Sequence, residues 1–370
     1  MKVICFIDGL GSGGAQRQMV NLAVGLKNRG HYVEMIAYEN ADFYLSKIVE
    51  NNIKYTVLKS KNYLGRIFNV SNYLHKTDAD AVVSFLETPN FIGCFSSIRK
   101  HKWVLVTSER NAKPHEFTEK RGKILKWFER FSDWTVCNSN AGKKLWEKYF
   151  PQYSNRLSTI YNPVVVNKDF LTEDRKPGKK RIVIAASYST VKNPVGLVEA
   201  VNLLTDEEKE QIHIDWFGRY IPKEDGGAYD EAVELSKKYG IQNVISFNAP
   251  TSEIYKEMAN SDAVALFSEV EGLPNAICEG MMLGKPILMS RMSDYETFVT
   301  PQNGFLCDAN DYNSISECIR SFIALDSEQM KKMGYCSSKI ANELFDLENN
   351  LNQWEELLIN LVKRKSGNEN

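Results

Sequence analysis

Apolar runs and helical patterns alternate along most of this 370-residue chain. Between the runs, apolar residues recur every three or four positions, as in residues 15–29, a segment that Gly30 closes. Such alternation predicts parallel strands joined by helices, with the strands buried on both faces. The predicted strands are residues 3–7, 32–37, 81–85, 103–106 and 134–137 in the first half and residues 181–186, 212–217, 244–247, 263–267 and 287–289 in the second.

A polar stretch separates the two alternating series. Residues 172–180 are mostly charged, and Pro177-Gly178 within them is typical of a turn. We therefore predict an α/β protein of two doubly wound domains, residues 1–170 and 176–345, joined near residue 175. Ligands are expected at the carboxyl ends of the parallel strands, because open α/β sheets bind ligands there.

The stretch 263–289 is the most informative part of the chain. It predicts a strand, a loop, a short helix with Pro274 at its first position and Gly284 after its end, and a second strand. Glu271 then falls on the loop and Glu279 about one turn into the helix, whose N-terminus can hold an anion. Two carboxylates around an anion site fit a nucleotide-sugar, which has phosphate in the middle and hydroxyl groups on both sides. Without this context, most pairs of glutamates at this spacing are solvated charges on a helix.

A glycine-rich loop follows the first predicted strand. Gly9-Leu10-Gly11-Ser12-Gly13-Gly14 satisfies the dinucleotide pattern G-x-G-x-x-G, and Glu39 lies where an acid would bind the ribose of NAD. An NAD-dependent oxidoreductase is therefore an alternative. We expect Gly9 and Gly11 to serve a turn that needs positive φ. Gly13 and Gly14 are expected to let the backbone approach a donor phosphate or an acceptor closely.

Further polar residues follow other predicted strands. Lys192 precedes a predicted helix that Asn193-Pro194 opens, and there its charge could neutralise a diphosphate leaving group. Glu109-Arg110-Asn111 follows a strand of the first domain, and a site contact is favoured over a structural hydrogen bond. No cluster of histidine, cysteine and acidic residues has metal-ligand spacing, and catalysis without a metal is expected.

Composition describes a soluble globular protein. Apolar residues make up 43% of the chain and the formal net charge is −1, so there is no bulk attraction to nucleic acid. The seven cysteines are odd in number and form no CxxC motif, which favours a reducing cytoplasm. No stretch approaches the roughly 20 apolar residues of a membrane span, and a cytoplasmic location is expected.

Charge is uneven within the first half. Residues 99–148 contain 13 Lys and Arg against 6 Asp and Glu, a local net charge of +7. In this region residues 120–131 predict a helix with Ile124, Trp127, Phe128 and Phe131 on one face. Such a helix either packs on its own domain or lies on an anionic membrane surface, here the inner face of the cell membrane.

The block Ser268-Glu269-Val270-Glu271-Gly272-Leu273-Pro274-Asn275-Ala276-Ile277-Cys278-Glu279-Gly280-Met281-Met282-Leu283-Gly284-Lys285-Pro286 closely resembles the signature of glycosyltransferase family 4. The signature has a serine near a strand end, Glu-Gly-hydrophobic-Pro, seven residues between the glutamates, and Gly-Lys-Pro. Gly13-Gly14-Ala15-Gln16-Arg17 is similar to the family's glycine loop, and Lys192-Asn193 to its lysine element. The family commonly has an arginine where this chain has Ser187, and Arg110 or Arg219 is expected to compensate.

The resemblance implies the GT-B fold, two doubly wound Rossmann-like domains facing across a cleft. Residues 1–170 would bind the acceptor, residues 176–345 would bind a nucleotide-diphosphate sugar, and a helix at about 347–364 would cross back to the first domain. Glu279 would accept hydrogen bonds from the ribose hydroxyls, and Glu271 would contact the sugar. The implied catalytic residues are Lys192, Glu271 and Arg110, and the implied binding residues are Gly13, Gly14, Lys192, Asn248, Glu271, Gly272, Leu273, Pro274, Asn275 and Glu279.

The activity that this resemblance implies is sugar transfer by a hexosyltransferase. The donor is expected to be a UDP-type sugar, the acceptor a lipid-linked molecule or a glycan, and the product a bacterial surface polysaccharide formed with retention. No separate cofactor is expected. A GT-B-fold nucleotide-sugar epimerase or phosphorylase, an NAD-dependent oxidoreductase and an inactive sugar-nucleotide binder stay open as alternatives.

Overall fold

The computed structural model describes residues 1–166, 178–220 and 227–367. The chain divides into two compact units, Met1–Pro163 with Leu347–Asn370, and Val164–Asp346. The expected join near residue 175 lies outside the described residues. We call the two parts unit 1 and unit 2, and each has its own parallel sheet.

Unit 1 is built on a parallel sheet whose described strands number seven, in the order β3-β2-β1-β4-β5-β6-β7. The inner strands β1, β4 and β5 are buried on both faces, which explains their continuous apolar runs. The strands are β1 (Lys2–Phe6), β2 (Tyr32–Ala37), β3 (Lys54–Val57), β4 (Ala81–Phe85), β5 (Val104–Glu109), β6 (Trp134–Cys137) and β7 (Leu157–Thr159).

Helices pack on this sheet, and the last helix of the chain is among them. Leu351, Trp354 and Leu358 of that helix are buried in the same apolar cluster as the first helix. A Cβ on Gly25 would overlap with the Leu351 side chain, so the close contact of the two helices depends on glycine. The helices are α1 (Gly14–Asn28), α2 (Leu45–Glu50), α3 (Tyr63–Lys76), α4 (Glu87–Ser96), α5 (Pro114–Thr118), α6 (Lys120–Phe128), α7 (Asn140–Tyr149) and α16 (Leu347–Gly367).

Unit 2 has a parallel sheet with six described strands in the order β10-β9-β8-β11-β12-β13. The strands are β8 (Lys180–Ala185), β9 (Ile212–Phe217), β10 (Ile245–Asn248), β11 (Ala263–Leu266), β12 (Ile287–Ser290) and β13 (Gly304–Cys307). The helices are α8 (Pro194–Asn202), α9 (Asp206–Gln211), α10 (Ala228–Lys238), α11 (Ile254–Ala259), α12 (Asn275–Met282), α13 (Tyr295–Phe298), α14 (Tyr312–Ile323) and α15 (Ser327–Phe345).

The strand, loop, helix and strand predicted for residues 263–289 are confirmed, with one correction. Helix α12 begins at Asn275, so the placement of Pro274 at the first helical position is wrong. Pro274 has ψ 82°, outside the helical region, and its carbonyl accepts the first helical hydrogen bonds. Gly284 follows the helix with φ 67°, as expected of a terminating glycine. Gly280 packs so closely that a Cβ there would lie 2.7 Å from Val264 on β11.

The basic helix predicted over residues 120–131 is shorter than expected. Helix α6 ends at Phe128 and a 3-10 turn, Glu129–Phe131, follows it. Phe128 and Phe131 turn inward and pack against a buried apolar cluster of unit 1. The Trp127 ring contacts both of these phenylalanine rings, but the four apolar residues differ in burial and do not form one exposed face. Ile124 is 59% exposed and Trp127 45% exposed.

The described residues include no helix that is long and apolar enough to cross a membrane. In the same part of the chain, no three or more histidine, cysteine or acidic residues are grouped as a metal site. The cysteines are free thiols, and all but Cys336 are buried. Burial raises the pKa of the Cys5 thiol to about 12, so this side chain packs as a small apolar group.

Candidate functional site

The candidate site of unit 2 lies where its strand order reverses. Strand β8 has β9 on one side and β11 on the other, so the loops after β8 and β11 leave the sheet side by side. Open α/β sheets bind ligands at such a point because the two loops diverge there. Lys192 follows β8 on the first loop, and Glu271 follows β11 on the second.

Lys192 and Glu271 form an ion pair in which Lys192 Nζ donates to Glu271 Oε1. The two loops are also joined by the backbone, since the amide of Glu269 donates to the carbonyl of Val191 at 2.9 Å. Asn193, in the left-handed region with φ 64°, caps α8 and donates from Nδ2 to the carbonyl of Ala309 at 2.8 Å. Lys192 is thus held by ordered backbone on both sides.

Glu279 is 7% exposed on helix α12, and Tyr255 Oη donates to its Oε1 at 3.2 Å. Because a buried carboxylate is costly unless it is hydrogen-bonded, this acid is held in place by specific partners. The loop before α12 is fixed as well, since Ser293 Oγ donates to the carbonyl of Gly272 at 2.5 Å. Ser293 has φ 54°, a backbone strain of the kind that concentrates at binding sites.

The loop Gly272-Leu273-Pro274-Asn275 leads from Glu271 directly into α12. No side-chain hydrogen bond caps this helix within the described part of the chain. Its first backbone N–H groups therefore carry the partial positive charge of a helix N-terminus. The segment presents the uncapped N-terminus of α12 with one carboxylate before it and one within it.

Asn248 ends β10, two strands away from β8. Its Nδ2 donates to Asp215 Oδ1 at 3.2 Å, and its carbonyl accepts from Tyr188 Oη at 2.9 Å and from the amide of Gly218 at 3.1 Å. A Cβ on Gly218 would overlap with the carbonyl oxygen of Ala186, so this close backbone approach needs glycine. Asn248 therefore joins the residues that follow β8 and β9 through contacts within unit 2.

The structure also locates Arg219, which the sequence suggested as a replacement for the arginine missing at Ser187. The carbonyl of Arg219 accepts from the amide of Tyr188 at 3.0 Å, and the Arg219 side chain is exposed. Arg219 therefore pairs with the residue next to Ser187, at the same edge of the sheet. Arg110, the other suggested replacement, belongs to unit 1.

The glycine loop of unit 1 departs from expectation in one respect. Neither Gly9 nor Gly11 has positive φ, so the turn explanation is wrong for both. Instead, Asp8 Oδ1 accepts from the amide of Gly9 at 2.7 Å and from Gln16 Nε2 at 2.9 Å. A Cβ on Gly13 would overlap with Gln16 Oε1, so a larger residue there would displace Gln16 from Asp8. Gly13 directly precedes α1, which begins at Gly14.

Arg110 follows β5 at the carboxyl edge of the sheet in unit 1. Its Nη2 donates to Asn162 Oδ1, its Nη1 to Ser108 Oγ at 3.3 Å, and its guanidinium lies 4.2 Å from the centre of the Phe85 ring. Desolvation lowers the pKa of Arg110 to about 9, which leaves the side chain charged at neutral pH. Glu109 is buried beside it and accepts hydrogen bonds from two backbone amides.

Sequence reasoning missed Lys126, which pairs with Glu109, and Leu86, which has φ 80° after the end of β4. The sequence gives no signal for the burial of Lys126, which is one of many basic residues in this region. The sequence also gives no signal for the positive φ of Leu86, because leucine ordinarily has negative φ.

Two family models match nearly the whole chain. The model described as Glycosyltransferase Family 4 matches residues 12–168, and the model described as Glycosyl transferases group 1 matches residues 167–339. Both models describe glycosyltransferases, so the match does not support the oxidoreductase alternative.

Relatives and solved structures extend this similarity. A Campylobacter jejuni enzyme is 21% identical over 371 residues, 97% of this chain and 98% of the relative. It is named as an alpha-1,4-N-acetyl-D-galactosaminyltransferase acting on GalNAc-alpha-(1->4)-GalNAc-alpha-(1->3)-diNAcBac-PP-undecaprenol. Anabaena HepE in complex with UDP has a TM-score of 0.82 at 18% identity, over 97% of this chain and 100% of that chain. Its complex with UDP-glucose has a TM-score of 0.81 with the same identity and coverage.

The two parallel-sheet units agree with the fold that these comparisons indicate. Together the family models span residues 12–339, which includes Gly13 and Gly14, Lys192 and both glutamates of the signature. The chain therefore belongs to the family 4 glycosyltransferases and has the GT-B fold.

Proposed function

We propose that the chain transfers a sugar from a UDP-sugar to a lipid-linked or glycan acceptor, with retention of the anomeric configuration. The observation that carries the proposal is the group of Lys192, Glu271 and Glu279 at the switch point of unit 2. HepE, which is similar in fold, has been crystallised with UDP and UDP-glucose. The Campylobacter relative is named for an undecaprenol-linked glycan acceptor.

The donor would bind with its diphosphate at the N-terminus of α12. Glu279 would accept hydrogen bonds from the ribose hydroxyls, and the amides of Leu273 to Asn275 would meet the sugar and the diphosphate. In the structure, Glu271 neutralises Lys192. A bound diphosphate would compete for the ammonium group and free the Glu271 carboxylate to accept from sugar hydroxyls. Lys192 would then stabilise the charge that develops on the leaving diphosphate.

The acceptor would bind unit 1, at the glycine loop and Arg110. Gly13 and Gly14 introduce a helix whose N-terminus lacks a side-chain cap among the described residues, which suits an anionic group. Arg110 retains its charge although burial lowers its pKa, and a charged guanidinium suits contact with an oxygen of the substrates. With a lipid-linked acceptor, the reaction would take place at the cytoplasmic face of the membrane and would build a bacterial surface polysaccharide.

Thermal-shift screening against UDP-, GDP- and other nucleotide-sugars tests the donor proposal. UDP-sugars are expected to raise Tm, because a ligand at about 100 times its Kd stabilises the folded state by about 2.7 kcal/mol. UDP release should then depend on an added lipid-linked or glycan acceptor, which an epimerase would not require. A Tm that rises with GDP-sugars alone would contradict the choice of nucleotide. A Tm that no nucleotide-sugar changes would contradict the proposal itself.

A membrane contact through α6 is the second part of the proposal. Ile124 and Trp127 are exposed on this helix, and Arg130 lies 4.8 Å from the Trp127 ring. Lys120, Arg121 and Lys123 are exposed around them. Exposed apolar groups ringed by cations are the pattern that binds an anionic lipid surface.

Flotation with vesicles tests this contact. The parent protein is expected to bind vesicles rich in anionic lipid and to bind neutral vesicles weakly. The double substitution Ile124→Ser and Trp127→Ser should lower vesicle binding about tenfold or more, because it removes the apolar groups that enter the lipid. Tyr335→Ser is the matched control, since Tyr335 is an exposed aromatic residue of unit 2. Equal binding by the double variant and the parent would contradict the contact.

A further inference from the structure

Lys126 is a buried lysine on the inner side of helix α6. Its side chain is 7% exposed and forms an ion pair with Glu109, which is equally buried. The ammonium group also lies 4.8 Å from the centre of the Phe117 ring and 5.2 Å from that of Trp146. Burying two charges is expensive, and well-packed apolar residues often give equal or greater stability at such a position. Stability alone therefore does not explain the pair.

The Glu109 carboxylate joins Lys126 to the residues that follow β5. One oxygen accepts a hydrogen bond from the Lys126 ammonium group. The other accepts from the backbone amides of Arg110 at 3.1 Å and Asn111 at 3.2 Å. The direction of the Arg110 side chain depends on this backbone. This carboxylate thus holds the backbone at the start of the loop, while Asn162 and Ser108 hold the guanidinium end of Arg110.

Close contacts hold helix α6, which carries Lys126, in its place. A Cβ on Gly122 would overlap with the backbone oxygen of Glu116, so α5 and α6 pack at a distance that only glycine permits. Glu129, just after α6, accepts from Thr107 Oγ1 of β5 at 2.5 Å. These contacts hold α6 against α5 and tie the turn after α6 to β5.

Glu109 and Arg110 lie beside a residue with a strained backbone. Leu86, with φ 80°, lines the same small recess as Glu109 and Arg110 at the carboxyl ends of β4 and β5. Strain of this kind persists where the surrounding structure enforces it, often at functional sites. The strained Leu86 backbone and the buried ion pair of Lys126 and Glu109 therefore lie together at the carboxyl ends of the strands, where parallel sheets bind ligands.

We propose that Lys126 is a positioning residue for sugar transfer, which acts by holding Arg110 through Glu109. The proposal rests on the function proposed above, in which Arg110 contacts the substrates. A displacement of about 1 Å in such a group can lower a rate about 100-fold. The residues proposed to bind the donor belong to unit 2, so loss of the link should change acceptor-dependent turnover and leave nucleotide binding unchanged.

The test compares Lys126→Met with a double variant that combines Lys126→Met and Glu109→Gln. The single variant leaves a buried carboxylate without its partner and should lower Tm. The double variant leaves no unpaired charge buried, but no ammonium group anchors the new glutamine side chain, so its amide oxygen is free to move away from the two backbone amides. Its Tm should therefore return close to that of the parent. Lys144→Met, at an exposed lysine on α7, is the control.

We expect the double variant to show a kcat/KM for acceptor about tenfold or more below that of the parent, because the backbone that carries Arg110 loses its anchor. The Kd for UDP should stay within about twofold by calorimetry, since the change lies outside unit 2. Peptides that contain residues 109–111 should exchange amide hydrogens faster than in the parent.

A double variant with parental turnover overturns the positioning role, and so does unchanged hydrogen exchange in residues 109–111. If the parent protein transfers no sugar, the proposed function fails, and the exchange measurement still decides whether Lys126 holds the loop.

Discussion

Replacing Lys192 with methionine is expected to lower kcat by about 10²–10³-fold, the usual effect of losing one group that stabilises transition-state charge. The lysine is paired with Glu271 at the switch point of unit 2, where a diphosphate would leave. Its contribution should be greater in the transition state than in the bound donor, because charge on the leaving group grows during the reaction. Kd for UDP should therefore rise less than about tenfold.

Initial rates with saturating donor and acceptor measure this effect, and calorimetry with UDP measures binding separately. Lys192→Arg keeps the charge and should recover part of the rate. Lys332→Met removes an exposed lysine of α15 and should leave both quantities unchanged. If Lys192→Met turns over at the parental rate, Lys192 does not serve the leaving group.

Replacing Glu279 with glutamine is expected to weaken UDP binding by about 1–3 kcal/mol, the cost of hydrogen bonds to a charged group. Glu279 is buried on α12 with Tyr255 as a partner, and the proposed function assigns it to the ribose hydroxyls. The glutamine keeps the size of the side chain and removes the charge. Titration calorimetry with UDP measures the change in Kd.

A ligand that lacks the ribose hydroxyls tests the role of Glu279 more directly. The parent should bind 2′,3′-dideoxyuridine diphosphate more weakly than UDP, whereas Glu279→Gln should bind the two with similar affinity. Tyr255→Phe removes the hydroxyl that donates to Glu279 and should have a smaller effect than the loss of the charge. If Glu279→Gln discriminates between the two ligands as the parent does, Glu279 does not bind the ribose.

Much of the architecture could be predicted because strands buried on both faces leave continuous apolar runs. Strands β2, β4, β6 and β9 begin and end at the predicted residues. The strands without a prediction, β3, β7 and β13, are short and lie at the sheet edges, where partial exposure weakens the apolar pattern. The helix predicted over residues 120–131 is too long because periodicity cannot show where an α-helix tightens into a 3-10 turn.

The candidate site was only partly accessible to the same reasoning. Glu271 and Glu279 lie within one continuous segment, so their placement before and within α12 followed from local pattern. The pairing of Lys192 with Glu271 joins residues 79 positions apart and arises because β8 and β11 are neighbours. In sequence Lys126 is one of many basic residues, and its burial against Glu109 depends on how α6 packs on β5.

The order of apolar and polar residues was therefore sufficient for the two α/β units and for the strand, loop, helix and strand of residues 263–289, whereas the family followed from the resemblance of particular residues to its signature. These features are local, since each depends on hydrophobic periodicity and on turn residues within a few positions. Which charges meet depended on strand order and helix packing, which bring distant residues together and remove them from water. Burial then leaves Glu279, Lys126 and Arg110 dependent on the few partners that the fold supplies.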